Sequence, residues 1–430
     1  MRIVNIVPGF GGSFYCGNCL RDSAYARSLQ KSGHDAITLP IYLPLTLNGE
    51  QVSKYPVFYG AINIYLKQQF PFLRNMPKWM ERFFNSAPLL KYAAKKSGST
   101  RAEGLEEMTL SMLRGYEGYQ KEELQQLIEF LKKEVKPDVV HLSNALLMGL
   151  ARKIKDDLGI PVVCSLQDED VWIDAMADDY QDQLWGMMTE KAKDIDLFIA
   201  VSDFFAKVMQ PRMSIPIEKI KVIHIGVDPS RFEAHEPAMD PPVVGYMSRM
   251  NAENGFEIFI DAFVELRSDP KYKNVHARVS GGKTGDDEKF IAKQRKKLEK
   301  AGILDDVVFV DEYGEEFHNQ FFKSVSMLSV PVLKGEAFGL YQVQSLACGV
   351  PLVQPELGAF PEIAKESEGG VIYSPNTPQT LASKWKEMLD DPEKLKEMSI
   401  KGRKNTEEKF NSMKLINTML SAYESVIKPQ

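Results

Sequence analysis

The chain has 430 residues and a formal net charge of −6 at pH 7, long enough for two or more domains with real cores and of the wrong charge sign for a nucleic-acid binder. Hydrophobic residues at 44% and charged residues at 26% exclude wholesale disorder. No apolar run approaches the ~18 residues of a membrane span, Pro8 breaks the amino-terminal apolar stretch, and four cysteines make no disulfide framework, so a cytoplasmic protein is expected.

Hydrophobic period sets the elements in chain order. Arg2 to Val7 predicts a strand and Cys19 to Lys31 a helix that Gly33 ends. Strands follow at Asp138 to Ser143, Pro161 to Leu166 and Asp196 to Val201, with helices at Ala145 to Asp157 and Phe204 to Met209. Four prolines between about Asp228 and Pro242 mark a linker. The second series has strands at Val243 to Met247, Val275 to Ser280, Val307 to Val310, Met327 to Val330 and Pro351 to Val353. Its helices are Gly255 to Leu266, Glu288 to Ala301 and Tyr341 to Ala347. Alternating strand and helix implies parallel sheets covered on both faces, hence an α/β fold of two doubly wound domains, with ligands at the carboxyl ends of the strands in a cleft between them.

An aromatic, proline-containing segment at about 43–121 interrupts this rhythm. Between Tyr65 and Arg101 it holds eight basic residues against the single acid Glu81. One reading is peripheral contact with anionic lipid, Trp79, Phe83 and Phe84 forming an apolar face. The other is an ordinary helical insertion with solvated charges, which the proline spacing favours.

The run from Lys334 to Ile363 carries the most chemistry. Its GEAFG loop sets Glu336 just before a helix whose first backbone N–H groups are unpaired, an arrangement suited to a ligand with hydroxyls and a diphosphate. The acids Asp168, Glu169 and Asp170 at another strand's carboxyl end make Glu169 and Asp170 candidates for acceptor hydroxyls, with a divalent cation as a weaker alternative. Cys16 and Cys19 form a C-x-x-C at a helix start, where a redox role competes with a plain glycine-rich loop. The six histidines show no metal-ligand spacing, although His141 and His224 end strands and are placed to approach the cleft.

In its ordered blocks the chain resembles the retaining, nucleotide-sugar-dependent glycosyltransferases of family 4, of group 1 type and GT-B fold. The blocks are Gly11 and Gly12 before the first helix, GHDAITLP, PDVVHLS, GIPVVCSL, AVSDFFA, EKIKVIHIGVDPSRF, GYMSRMNAENG, EAFGLYQVQSLACGVPLV and GAFPEI. The resemblance implies two Rossmann-like domains facing each other across a cleft. Residues 1–235 would take the acceptor and 236–411 the nucleotide sugar, with a final helix in 412–430 packing back on the first domain.

It further implies that Glu336 holds the sugar hydroxyls and that the backbone of Ala337, Phe338, Gly339 and Leu340 holds sugar and diphosphate. Arg249 would meet the diphosphate, Gly11 and Gly12 would approach it, and Gly281 and Lys283 would lie near the nucleotide. No cofactor or metal is implied. Two positions depart from the family pattern. Gln344 stands where a second glutamate usually grips the ribose, and Asn254 where a phosphate-binding lysine is common. They sustain an alternative, a catalytically degenerate sugar- or nucleotide-binding protein on the same fold. A hydroxyl acceptor and front-face transfer with retention complete the expectation.

Overall fold

The computed structural model describes residues 1–9, 17–43, 46–47, 50–51, 57–58, 102, 104–312 and 317–427. Gly11, Gly12, Cys16 and the basic aromatic stretch with Trp79, Phe83 and Phe84 lie outside them. The chain divides into two compact units, one of residues 1–12, 18–224 and 416–430, the other of 13–17 and 225–415.

In the first unit, strands β1 (Arg2–Val7) and β2 (Asp35–Pro40) precede a two-residue antiparallel pair, β3 (Thr46–Leu47) with β4 (Glu50–Gln51). Strands β5 (Val139–Leu142), β6 (Val162–Leu166), β7 (Leu197–Ala200) and β8 (Ile220–Val222) complete a six-stranded sheet. It runs in the order β2-β1-β5-β6-β7-β8, every pairing parallel. Every residue of β5, β6 and β7 is buried, as continuous apolar runs must be in a sheet covered on both faces.

The helices of this unit are α1 (Gly17–Lys31), α2 (Glu106–Arg114), α3 (Lys121–Phe130), α4 (Ala151–Leu158), α5 (Glu169–Ile173), α6 (Asp178–Lys191) and α7 (Asp203–Arg212). The helix expected over Ala145 to Asp157 starts instead as a 3-10 turn, Ala145–Leu150, with the Asn144 side chain accepting from the Leu146 N–H. Close packing on α2 accompanies this: a Cβ on Gly149 would lie 2.0 Å from the Met112 carbonyl oxygen.

The second unit repeats the plan. Its strands are β9 (Val243–Met247), β10 (His276–Ser280), β11 (Val307–Phe309), β12 (Met327–Leu328), β13 (Leu352–Pro355) and β14 (Gly370–Tyr373). They form a parallel sheet in the order β11-β10-β9-β12-β13-β14. Helices α8 (Phe256–Arg267), α9 (Glu288–Lys300), α10 (His318–Lys323), α11 (Leu340–Ala347), α12 (Phe360–Ser367), α13 (Pro378–Leu389) and α14 (Pro392–Lys409) surround it. Trp385 of α13 anchors the core: it is fully buried, meets Phe259 edge to face at 5.3 Å, and donates from Nε1 to Ser329 Oγ at 2.9 Å.

The last helix, α15 (Ser412–Val426), carries Tyr423 into the first unit, where its hydroxyl lies 2.6 Å from His141 Nδ1. No helix among the described residues is long and apolar enough to cross a membrane.

Candidate functional site

In the second unit three loops at carboxyl strand ends hold the residues singled out in sequence. After β9 the chain turns through Ser248 to Asn254. The Tyr246 hydroxyl donates to the carbonyls of Arg249 and Asn254, and Asn254 Nδ2 donates to Ser248 Oγ at 2.9 Å and to the Arg249 carbonyl at 3.3 Å. Asn254 therefore fixes the shape of the loop that presents Arg249. After β10, Gly281 has φ +129°, and a Cβ there would stand 2.0 Å from the Ser248 carbonyl oxygen. Only glycine lets the two loops run this close. Lys283 is half-exposed, 4.0 Å from Glu288.

Arg249 is held rather than open. Its Nε and Nη2 donate to the two oxygens of Asp287 at 2.8 and 2.9 Å, and Nη2 donates to Thr284 Oγ1 at 3.0 Å. Asp287 also caps the turn by accepting from the Thr284 backbone N–H at 2.7 Å. Burial pushes the Asp287 carboxyl up, but the Arg249 hydrogen bonds and the Thr284 N–H outweigh it, so its pKa lies below the ordinary value. The guanidinium is a fixed fork whose charge already has a carboxylate partner, a feature invisible in the sequence.

The third loop, after β12, leads to α11. A Cβ on Gly335 would meet Gly358 at 2.6 Å, and one on Gly358 would meet the Glu336 backbone at 2.5 Å, so the two loops interlock through glycines with positive φ. The Glu336 carbonyl accepts from the Ala359 N–H at 3.0 Å. The Glu336 carboxylate reaches over Gly339, where an added Cβ would sit 3.1 Å from Oε2. Its charge is felt at Tyr246: burial raises that phenol well above its ordinary pKa and the Glu336 carboxylate raises it further. Ala337, Phe338 and Leu340 are buried, Gly339 has φ +80°, and every residue of α11 is buried, Gln344 included at 2% exposure. Arg249, Glu336, Gly281 and the 337–340 backbone thus share the carboxyl end of one sheet.

In the first unit the acids behave differently. Glu169, expected to face an acceptor, is buried, and its two oxygens accept from the backbone N–H groups of Ala145 at 2.8 Å and Gln167 at 2.6 Å. Burial drives its pKa up to about 8 against the pull of those N–H groups. Glu169 ties the loop after β6 to the loop after β5 and so acts on position, a correction that follows from the two converging amides. Asp170 is half-buried, raised by burial and by the neighbouring Asp168 charge, and its Oδ1 has no hydrogen-bond partner among the described residues.

His141 is buried in β5 between Tyr423 and Ser165 Oγ, 2.8 Å away, and burial lowers its pKa to about 3. It is a core histidine, not an open one. Cys164 and Cys348 are free and buried, whereas Cys19 is disulfide-bonded, although the expected cytoplasmic address makes structural disulfides improbable. Among the described residues no group of three or more His, Cys, Asp or Glu is gathered as a metal site.

Two features escape sequence reasoning. The Ser143 carbonyl accepts from Arg21 Nη2 at 3.1 Å and Gln167 Nε2 at 2.6 Å, while Arg21 Nη1, Ser143 Oγ and Gln167 Oε1 are buried without partners among the described residues. The second is a cavity of about 320 Å³, lined among the described residues by the ends of β1, β2 and β5, by α2, by Leu146 and Leu147, and by Trp172. The missing signal is long-range: α2 and Trp172 are some sixty residues apart in sequence and meet only in the folded unit, where Trp172 Nε1 donates to Thr109 Oγ1.

Comparison with known proteins adds independent findings. A family model described as glycosyl transferases group 1 matches residues 228–405, and one described as glycosyltransferase family 4 matches residues 109–231. The chain is 26% identical over 219 residues to the lipopolysaccharide core biosynthesis mannosyltransferase LpsB of Rhizobium meliloti, a match spanning 48% of this chain and 61% of that one. It is 25% identical over 305 residues to the MMP alpha-(1->4)-mannosyltransferase of Mycolicibacterium hassiacum, covering 67% of this chain and 71% of the relative. Among solved structures, sucrose-phosphate synthase from Thermosynechococcus elongatus superposes with a TM-score of 0.69 at 14% identity, covering 99% of both chains. Anabaena HepE in complex with UDP does so at 0.67 and 14%, covering 99% of this chain and all of that one. At such identity these structures speak for the fold.

Proposed function

The chain belongs to the group 1, family 4 glycosyltransferases, and from that premise we propose that it moves a sugar from a nucleoside diphosphate sugar to a hydroxyl acceptor with retention of configuration. The observation that carries this reading is the grouping of Glu336, Gly339, Gly281 and Arg249 at the carboxyl end of one sheet. In this reading the second unit takes the donor. Glu336 accepts from sugar hydroxyls, and the backbone of Ala337 to Leu340 lines sugar and diphosphate. HepE has been solved in complex with UDP and with UDP-glucose, which favours a nucleoside diphosphate sugar as the donor class.

Departure of the nucleoside diphosphate builds negative charge on its terminal phosphate. A guanidinium already oriented by Asp287 meets that charge without reorganising, the condition under which fixed donors accelerate most. No carboxylate of the second unit is assigned as a base. The leaving phosphate oxygen takes the acceptor proton as the acceptor oxygen bonds to the anomeric carbon on the same face. Catalysis then rests on positioning and on phosphate charge, and no metal ion or cofactor is assigned. Asn254 replaces a cation with a loop-shaping amide, so the site depends more heavily on Arg249.

The test is donor turnover with the anomeric configuration of the product read by NMR. Retention of the donor configuration is expected. Inversion would overturn the mechanism, and binding of a nucleoside diphosphate sugar without transfer or hydrolysis would favour the degenerate alternative.

A further inference from the structure

The 320 Å³ cavity of the first unit lies at the carboxyl ends of β1, β2 and β5, where ligands of doubly wound sheets bind, and its volume is at the lower end of small-molecule pockets. Its walls are mostly apolar, with Tyr42, Thr109 and Asn144 as the polar side chains among the described residues. Met108 and Met112 come from α2, Leu146 and Leu147 from the turn after β5, Leu43 from beyond β2, and Trp172 from α5. No charged side chain lines it among the described residues.

The polar atoms on its walls are largely engaged. Trp172 Nε1 donates to Thr109 Oγ1, that hydroxyl donates to the Leu105 carbonyl, and Asn144 Oδ1 accepts from the Leu146 N–H. Glu169 ties together the loops that carry these residues, because its carboxyl joins the Ala145 amide, next to Leu146, to the Gln167 amide at the start of the segment leading to Trp172. Gly9 allows the β1 end to approach, a Cβ there falling 1.8 Å from the Leu43 carbonyl oxygen.

A sugar hydroxyl entering such walls would lose water for few hydrogen-bond partners, mainly Tyr42 and Asn144, which is costly. A hydrocarbon group would gain by leaving water. We propose that this pocket receives the apolar part of the acceptor, so that the acceptor is an amphipathic alcohol carrying an alkyl, isoprenyl or aromatic group rather than a wholly hydrophilic sugar. The inference rests on the transferase reading for the word acceptor, and its test is separable from that reading.

The full chain is titrated calorimetrically with n-alkyl β-D-glucosides from methyl to octyl, each below its micelle concentration. Affinity is expected to rise about fourfold per buried methylene until the pocket is full. Trp172→Ala and Leu146→Ser, both at half-exposed positions, are each expected to cut the octyl-to-methyl affinity ratio at least tenfold. Equal affinity for methyl and octyl glucoside, or a chain-length gain untouched by both substitutions, would overturn the proposal.

Should a variant fail to fold, photolabelling of the unmodified chain with a diazirine-tipped octyl glucoside decides. Label on peptides containing Met108, Met112 or Leu146 supports the pocket, and label confined elsewhere overturns it. Thermal stabilisation by UDP, GDP and ADP in the same samples keeps the two readings apart: nucleotide binding with a flat alkyl series refutes the pocket alone, and an alkyl response without nucleotide binding refutes the donor site alone.

Discussion

Both units end their sheets in loops at the carboxyl side, yet the two sets of loops solve opposite problems. In the second unit the loops are polar and tightly paired: Arg249 with Asp287 and Thr284, Asn254 with Ser248, and glycines at 281, 335 and 358 letting backbones touch. In the first unit Glu169 turns inward to hold two loops together, and the recess beside α2 is mostly apolar. A charged, small-atom surface suits a phosphate-bearing donor. An apolar recess suits a partner with little charge. Two copies of one topology thus acquire different chemistry from a few loop residues.

The strongest way to break this comparison is Arg249→Ala. Loss of a donor aimed at developing charge should lower kcat/KM by about 10² to 10³, or ~3 to 4 kcal/mol. The same change removes the cationic partner of Asp287, which keeps the Thr284 N–H and hydroxyl, at a cost of about 1 to 3 kcal/mol in stability. Adding Asp287→Asn should restore the denaturation midpoint but not turnover. Recovery of both would reduce Arg249 to a structural ion pair.

The first unit can be sharpened by pH. Glu169 keeps its proton in the folded state up to about pH 8, whereas its ordinary value is 4.5, so across that window the folded chain binds more protons and stability falls as pH rises. His141 refuses a proton down to about pH 3 against an ordinary 6.5, so across its window stability falls as pH drops. The two slopes, each about 1.4 kcal/mol per pH unit, cancel where the windows overlap, between pH 4.5 and 6.5. From these two groups, stability should be level there and decline on both sides. Glu169→Gln should abolish the decline between pH 6.5 and 8 in urea melts. A decline of the same slope in that variant would contradict the inward role of Glu169.

The smallest expected effect is at Asn254. Its replacement by alanine loosens the Arg249 loop by one or two hydrogen bonds, about 1 kcal/mol, and should raise the donor KM roughly fivefold with kcat less affected. An unchanged KM would remove Asn254 from the account of the donor loop.

Most of the fold was legible because the apolar runs of buried parallel strands are local signals: Val243–Met247 and Arg2–Val7 match their predicted bounds. Strands β2, β8 and β14 were not among the predicted strands. Of these, β8 and β14 are sheet edges with largely half-exposed residues, where alternation blurs. On the second unit the resemblance points to Gly281 and Gly339, and the positive φ and close backbone approaches at 281, 335 and 339 are what the structure adds. The Asp287 partner of Arg249, 38 residues away, was not. On the first unit the two-amide clamp on Glu169 is not legible in sequence, because carboxylates in a loop look alike whether solvated or held by backbone N–H groups. The apolar recess is built from side chains scattered from Leu43 to Trp172, and only folding brings them together.

The most direct measurement is calorimetric binding of nucleoside diphosphates and of their sugar conjugates to the unmodified chain and to Glu336→Gln. The account predicts that at least one conjugate binds, and that the substitution weakens it at least tenfold, as loss of a charge-assisted hydrogen bond would, while the bare diphosphate binds as before. Failure of every conjugate to bind, or equal weakening of conjugate and bare diphosphate, would contradict the assignment of the second unit to the sugar donor.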